Sequence, residues 1–262
     1  MQITSFQPQL PTRLARFFLA CLLGVTAATS AQAREEITVL ADSNLLVPLV
    51  EISRNYARQT DAVVSVVLNT SSSPTERIRG GLPVDVVLTS SASTRNMLNL
   101  SGQVDQTAST AFAKDQLVIA TSKTGRIVSG EQAINQLLSG VQQPVLVLID
   151  GESDPMYKQA SEHAMAGTLD PAPKIVIVPD MTTALYELKA QGSFMLLPRS
   201  VALSTPELAI QSIVTSEQAE NVTTYYADVL ASDHMSAARV FTRFLLTDMA
   251  QNILARHGYT KP

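Results

Sequence analysis

The sequence predicts an α/β chain built on parallel sheets, and three observations carry that prediction. Apolar, β-branched runs such as Val63–Leu68 and Val145–Ile149 are continuous rather than alternating, which marks strands buried on both faces. Amphipathic stretches with helical spacing follow or precede these runs, so strand and helix alternate along the chain. Between run and helix lie loops rich in Ser, Asn or Asp, of which Asn69-Thr70-Ser71-Ser72-Ser73 is the fullest.

Residues 1–33 stand apart from this pattern. Arg13 and Arg16 give a basic start, Phe17 to Val25 an apolar core short for a bilayer span, and Ala31-Gln32-Ala33 a small-residue cleavage site. Together they read as a secretory signal peptide cleaved after Ala33, an uncleaved anchor being the other reading. Removing them takes away two Arg and no acid, leaving 229 residues with 17 basic against 23 acidic side chains, a net charge of −6. An acidic chain without basic blocks argues against nucleic acid and anionic membrane surfaces as partners. Cys21 is the single cysteine and falls inside the leader, so neither a disulfide nor a thiolate metal site is expected in the mature chain. Stability must come from the core, which is feasible because a chain of this size buries about 70% of its unfolded surface.

In chain order, strands are expected at Ile37–Leu40, Val63–Leu68, Val84–Leu88, Gln116–Ala120, Val145–Ile149, Lys174–Val178, Phe194–Leu197 and Tyr225–Leu230. Helices are expected at Leu45–Gln59, Pro74–Gly80, Ala92–Leu100, Glu131–Leu138, Pro155–Ala166, Thr182–Ala190 and Met235–His257. Ser73-Pro74-Thr75-Glu76 is a helix start, with Ser at the cap, Pro at the first helical position and Glu three residues after the cap. Gly80-Gly81 reads as a helix stop before a strand. The last helix shows Ala237, Val240, Phe241, Phe244, Leu245, Met249 and Ile253 at helical spacing, with Gly258 as its stop. Two polar stretches, Ala111–Asp115 and Glu217–Thr224, read as hinge crossings between two lobes. The first lobe then comprises residues 34–114 plus 223–262, the second 115–222, with a ligand between them beyond the carboxyl ends of strands.

Four loops would face that cleft: Ala41–Asn44, Asn69–Ser73, Asp150–Pro155 and Pro179–Thr183. Each leaves a hydrophobic run and enters a helix. Each offers hydroxyls, amides or backbone N–H groups, and none contains Lys or Arg. Such a set suits a desolvated anion held by neutral dipoles and helix ends. Any one loop reads equally well as helix capping, since Ser, Asn and Asp are the usual caps; four of them in one α/β chain point to a binding cleft.

Several stretches resemble a known family. Ile37-Thr38-Val39-Leu40-Ala41 with Ser43-Asn44-Leu45, then Ser71-Ser72-Ser73 followed by Ile78, then Gly81-Leu82-Pro83-Val84-Asp85, are similar to the molybdate-binding periplasmic proteins of ABC importers. Asp180-Met181-Thr182-Thr183-Ala184-Leu185 and the closing His257-Gly258-Tyr259-Thr260 match more loosely, so the resemblance spans 36–262. It implies a two-lobed periplasmic binding protein fold of type II that captures a tetrahedral oxyanion, molybdate or tungstate, and delivers it to an ABC permease in the inner membrane. It further implies a monomer in the periplasm, with no cofactor, no catalysis and no protein side chain bound to a bare metal cation. Carried over by position, the ligand residues are Ser43 and Asn44 in the first loop, Ser71 and Ser72 in the second, the backbone at Asp154 in the third and at Met181 in the fourth. The family's tyrosine hydroxyl falls near Leu197, which has none, and Arg199 nearby is a candidate donor in its place.

Two acids oppose an anion. Asp154 would repel a charge at 4 Å by about 4 kcal/mol at an effective dielectric of 20, unless its carboxylate turns away to cap the helix that Pro155 begins. Asp42 lies beside the first loop. They motivate an alternative in which the same fold binds another oxyanion, a cation or an amine. A secreted enzyme is the alternative from another class. Against it, His163, His234 and His257 form no metal-ligand spacing, no nucleophile elbow or phosphate-binding loop is present, and the Ser triplet has no nearby His.

Overall fold

The computed structural model describes residues 35–69, 74–123, 144–150, 157–158, 160–162, 173–190, 193–213 and 222–262, and residues 35–262 form one compact unit. The expected helix Glu131–Leu138 lies outside the described residues, and the expected helix Pro155–Ala166 is described only in part.

The strands are β1 (Glu36–Asp42), β2 (Val63–Asn69), β3 (Val86–Thr89), β4 (Thr110–Ser122), β5 (Val145–Ile149), β6 (Lys174–Val178), β7 (Ser193–Pro198), β8 (Leu208–Ile213) and β9 (Val222–Val229). The helices are α1 (Leu46–Thr60), α2 (Pro74–Arg79), α3 (Ala92–Leu100), α4 (Met181–Glu187), α5 (Arg199–Ser204), α6 (Met235–Phe244) and α7 (Asp248–Arg256), and a 3-10 turn covers Ser43–Leu45. The chain is thus α/β, as expected.

One sheet runs β2-β1-β3-β9-β4-β7-β5-β6, with β8 also paired to β4. Two parallel groups, β2-β1-β3 and β7-β5-β6, are joined by antiparallel β9 and β4. The first stretch expected as a crossing is strand, and so is the described part of the second. Ala111–Asp115 lies wholly within β4, and Val222–Thr224 opens β9, where Asp115 pairs with Thr223 and Lys114 with Thr224; the rest of the second stretch lies outside the described residues. β4 changes neighbours at one step, from β9 through Gln116 to β7 from Leu117. Tyr226 stands opposite both Thr89 at the end of β3 and Ala111 on β4, while Pro198 at the end of β7 stands opposite Leu117. The carboxyl ends of both parallel groups therefore meet β4 within six residue steps, about 20 Å.

The core explains the continuous apolar run of β5, whereas β2, at the other end of the sheet, is half-buried along its whole length rather than covered on both faces. Leu146 and Leu148 pack on one face with Phe194 and Leu196, while Val147 and Ile149 pack on the other with Met195, Leu197, Ala184 and Leu188. A strand covered on both faces has no polar positions to alternate. Around the first group, Tyr56 on α1 meets Phe241 and Phe244 edge to face, each at 5.2 Å, among residues from β1, β3, β9, α6 and α7. Each such aromatic side chain contributes several kcal/mol through burial and ring geometry, of order 3–5 kcal/mol by truncation.

Three expectations are corrected. The single helix Met235–His257 is two, because Thr247 caps α7 by accepting from Ala250 N while Asp248 sits in its first turn. Gln251 Nε2 then donates to Leu245 O at 2.7 Å and Phe112 O at 2.8 Å, satisfying a carbonyl freed by the break. Strand β8 and helix α5 were not expected. The alternation Leu208-Ala209-Ile210-Gln211-Ser212-Ile213 is short, and its register is held from across the sheet, where Gln211 Nε2 donates to Thr121 Oγ1 at 2.9 Å.

Candidate solute-binding site

The carboxyl end of β1 carries the first predicted loop. Asp42 turns its carboxylate away from the 3-10 turn toward the loop after β3, where it accepts from Ser90 N (2.8 Å), Ser90 Oγ (3.2 Å) and Thr89 Oγ1 (3.1 Å). The acid that opposed an anion reading is thus a strut between two loops, its charge spread over three donors. Ser91 then caps α3 by accepting from Thr94 N. Beside Asp42 in register, Asn69 ends β2, its Oδ1 buried with no hydrogen-bond partner among the described residues.

Ser43 is exposed and Asn44 half-buried in the 3-10 turn, while Leu45 anchors the turn in the core. Two tyrosines hold Asn44. Its Nδ2 donates to the Tyr225 hydroxyl on β9, and its carbonyl accepts from the Tyr259 hydroxyl at 3.1 Å. The two rings meet edge to face at 5.6 Å and 86°. Burial, with the charges of Tyr259, Asp115 and Asp42 adding to it, holds the Tyr225 phenol well above its ordinary pKa, so it works as a neutral hydrogen-bonding group.

The second group supplies two further turns. Asp180 caps α4, accepting from Thr183 N at 2.8 Å and Thr183 Oγ1 at 3.0 Å; those bonds hold its carboxyl below the usual range and set Met181 as the first helical residue. At the end of β7, Pro198 precedes α5 and offers no side-chain cap. Asp115 supplies one from β4, its Oδ1 accepting from Ser200 N at 3.3 Å and Gln116 N at 2.8 Å. Asp115 is 1% exposed, and burial pushes its carboxyl up to about 6 against the opposing bonds from Ser200, Gln116 and the Arg199 N–H. Arg199 is half-buried, and its guanidinium has no partner among the described residues. Leu197 is fully buried in the core, so the position where a tyrosine hydroxyl was expected is purely a packing position.

The closing residues of the chain buttress this region. Gly258 has φ of +95°, and a Cβ there would stand 2.9 Å from Ser200 Cα, so only glycine lets the two backbones pass. Tyr259 then reaches Asn44, and Thr260 exchanges two backbone hydrogen bonds with Lys114 at 2.8 and 2.9 Å.

Of the predicted ligand residues, Ser43 and Asn44 lie at the carboxyl end of β1 and Met181 opens α4 in the other parallel group, while Ser71, Ser72 and Asp154 lie outside the described residues. Sequence reasoning singled out neither Asp115 nor the hydroxyls of Tyr225 and Tyr259. Tyr225 does pack, at 0% exposed, but its hydroxyl also ends at the first loop. Among the described residues no group of three His, Cys, Asp or Glu is placed to hold a metal ion, and no helix is long and apolar enough to cross a membrane.

Comparison with known proteins agrees with this architecture. No curated protein matches the chain by sequence. Among solved structures, a substrate-binding domain assigned to a molybdenum ABC transporter of Clostridium difficile aligns with a TM-score of 0.71 at 20% identity, covering 87% of this chain and 99% of that one. The periplasmic molybdate-binding protein of Azotobacter vinelandii aligns at 0.63 and 16% identity, covering 86% and 99%. The sulfate-binding protein of Mycobacterium tuberculosis H37Rv aligns at 0.60 and 15% identity, covering 87% of each. Likeness at these identities establishes the periplasmic solute-binding fold. The family model described as bacterial extracellular solute-binding protein matches residues 37–260, and the chain belongs to that family.

Proposed function

We propose that this solute-binding protein captures a small oxyanion, molybdate or tungstate, in the periplasm after loss of residues 1–33, and presents it to an ABC permease. The observation that carries the reading is the state of the first loop. Asp42 points its carboxylate to Thr89 and Ser90 in the loop after β3, while Tyr225 and Tyr259 fix the Asn44 turn at the carboxyl end of β1. What that loop offers a solute is then hydroxyl and amide dipoles, in a geometry set before the solute arrives. Ser43, Asn44, Ser71 and Ser72 donate from the first lobe, residues 34–114 plus 223–262. The backbone at Asp154 and Met181 donates from the second, residues 115–222, and closure of the lobes completes the shell. No bond is made or broken in the solute. The alignment with proteins named for molybdate supports the choice of ligand.

A second reading is a different oxyanion, including sulfate or an organic anion. It is favoured by Leu197, which offers no hydroxyl, and by Arg199, a full positive charge at the end of β7 without a described partner. Thermal melts with molybdate, tungstate, sulfate, phosphate and divalent cations in separate samples test both. A ligand at a hundred times its dissociation constant adds about 2.7 kcal/mol, a rise of roughly 5–10 °C for a chain this size. A rise with molybdate and tungstate alone supports the first reading, and a rise with sulfate or phosphate the second. A rise with cations alone contradicts both.

A further inference from the structure

A cavity of about 320 Å³ opens at the amino end of β3, among the described residues. Asp85 immediately precedes β3, and Leu230 immediately follows antiparallel β9, where Leu230 N donates to Asp85 O at 2.8 Å. The Asn44 turn stands at the other end of these strands, past the four residues of β3 and about 13 Å along them. The cavity is therefore distinct from the turns described above.

Its lining combines two chemistries. Ile78, Leu82, Val84 and Leu230, which pack in one core cluster, form an aliphatic wall. Asp85, Asp233 and His234 form a polar one, and no Lys or Arg lines the cavity among the described residues. Asp85 is 5% exposed. Its Oδ2 turns back on β1 and accepts from Thr38 N at 2.8 Å. Its Oδ1 lies toward His234, whose Nδ1 stands at 3.6 Å, beyond hydrogen-bond length.

A buried carboxylate with one oxygen bonded and the other beside a cavity calls for a donor there, and a charged donor forms the strongest bond. Two carboxyls in the lining oppose an anion. Asp85, Asp233 and His234 are not placed to share a metal ion. The remaining cation that satisfies both walls is an ammonium group on a short aliphatic chain. The volume lies at the lower end of small-molecule sites, roughly 300–1,000 Å³.

We propose that this cavity is a second ligand site, for a small primary alkylammonium ion whose head group donates to Asp85 Oδ1 and whose chain lies against Ile78, Leu82, Val84 and Leu230. The site stands independently of the oxyanion reading of the Asn44 turn. Asp85→Asn separates its two tasks, because asparagine keeps an oxygen for Thr38 N and loses the charge.

The test is titration of n-hexylammonium chloride into the protein, followed by amide NMR, with n-hexanol and hexanoate as the neutral and anionic counterparts. Saturable millimolar binding is expected, with shifts centred on Asp85, Gln103 and Leu230–His234. Hexanol should bind about tenfold more weakly, and hexanoate more weakly still. Asp85→Asn should lose about tenfold or more in hexylammonium affinity while binding hexanol as the wild type does. Hexylammonium bound no more tightly than hexanol, or equally by Asp85→Asn, overturns the inference, and so does a shift pattern centred on Ser43 and Asn44. Should Asp85→Asn fail to fold, the wild-type ranking of the three probes decides alone.

Discussion

The two turns that flank β4 are held in different ways. The Asn44 turn is over-determined: Tyr225 grips its side chain, Tyr259 its carbonyl, Leu45 its base and Asp42 its neighbour loop. These partners come from β9 and from the end of the chain, some 180 to 215 residues away in sequence. They rest in turn on the aromatic cluster of Tyr56, Phe112, Phe241 and Phe244. The Arg199 turn follows a core that is mostly aliphatic, and a single buried carboxyl caps its helix. The comparison teaches that one turn is rigid by construction, while the other hangs on a buried carboxyl.

The largest way to break the comparison is Phe241→Ala. It removes an aromatic ring packed against Tyr56 on the Asn44 side, and urea unfolding should show a loss of about 3–5 kcal/mol. Next is Asp115→Asn on the Arg199 side. A carboxyl whose usual 3.8 is raised to about 6 in the folded chain destabilises it where ionised, so wild-type stability falls as pH rises between those values. The asparagine variant should lack that fall and gain up to about 3 kcal/mol near neutral pH, read from melts across pH. Gly258→Ala touches both turns, pressing a methyl on Ser200 while straining the approach to Tyr259. It should cost about 2 kcal/mol or more by urea unfolding, a left-handed conformation and a backbone clash together. The smallest effect is Asp180→Ala, which removes the α4 cap and should lower stability by about 1 kcal/mol without changing the pH profile.

What the sequence made legible follows from where the determining contacts lie. β5 and β6 agree with expectation to the residue because their signal is local, a run of β-branched and aliphatic residues, although only β5 is buried on both faces while β6, at the sheet edge, exposes Ile175 and Ile177. α3 agrees because Ser91 caps it from the adjacent position. The break between α6 and α7 was masked by apolar spacing that continues across it, although Thr247-Asp248 is itself a start signal. β4 was cut short because Ala111–Asp115 is not β-rich; its pairing with β9 decides its conformation. The same division holds at the site. Ser43 and Asn44 announce themselves as polar residues after an apolar run. Asp115, Tyr225 and Tyr259 acquire their roles only through partners 85, 181 and 215 residues distant.

The measurement that bears most directly on solute capture at this site is calorimetric titration of molybdate into the wild-type protein and into Asn44→Ala. Loss of a hydrogen bond to a charged ligand amounts to about 1.5–3 kcal/mol. The account therefore predicts saturable binding by the wild type and an affinity weaker by roughly ten- to a hundredfold in the variant, in a protein that still melts cooperatively. Equal affinities in the two proteins would contradict the placement of the site at the Asn44 turn.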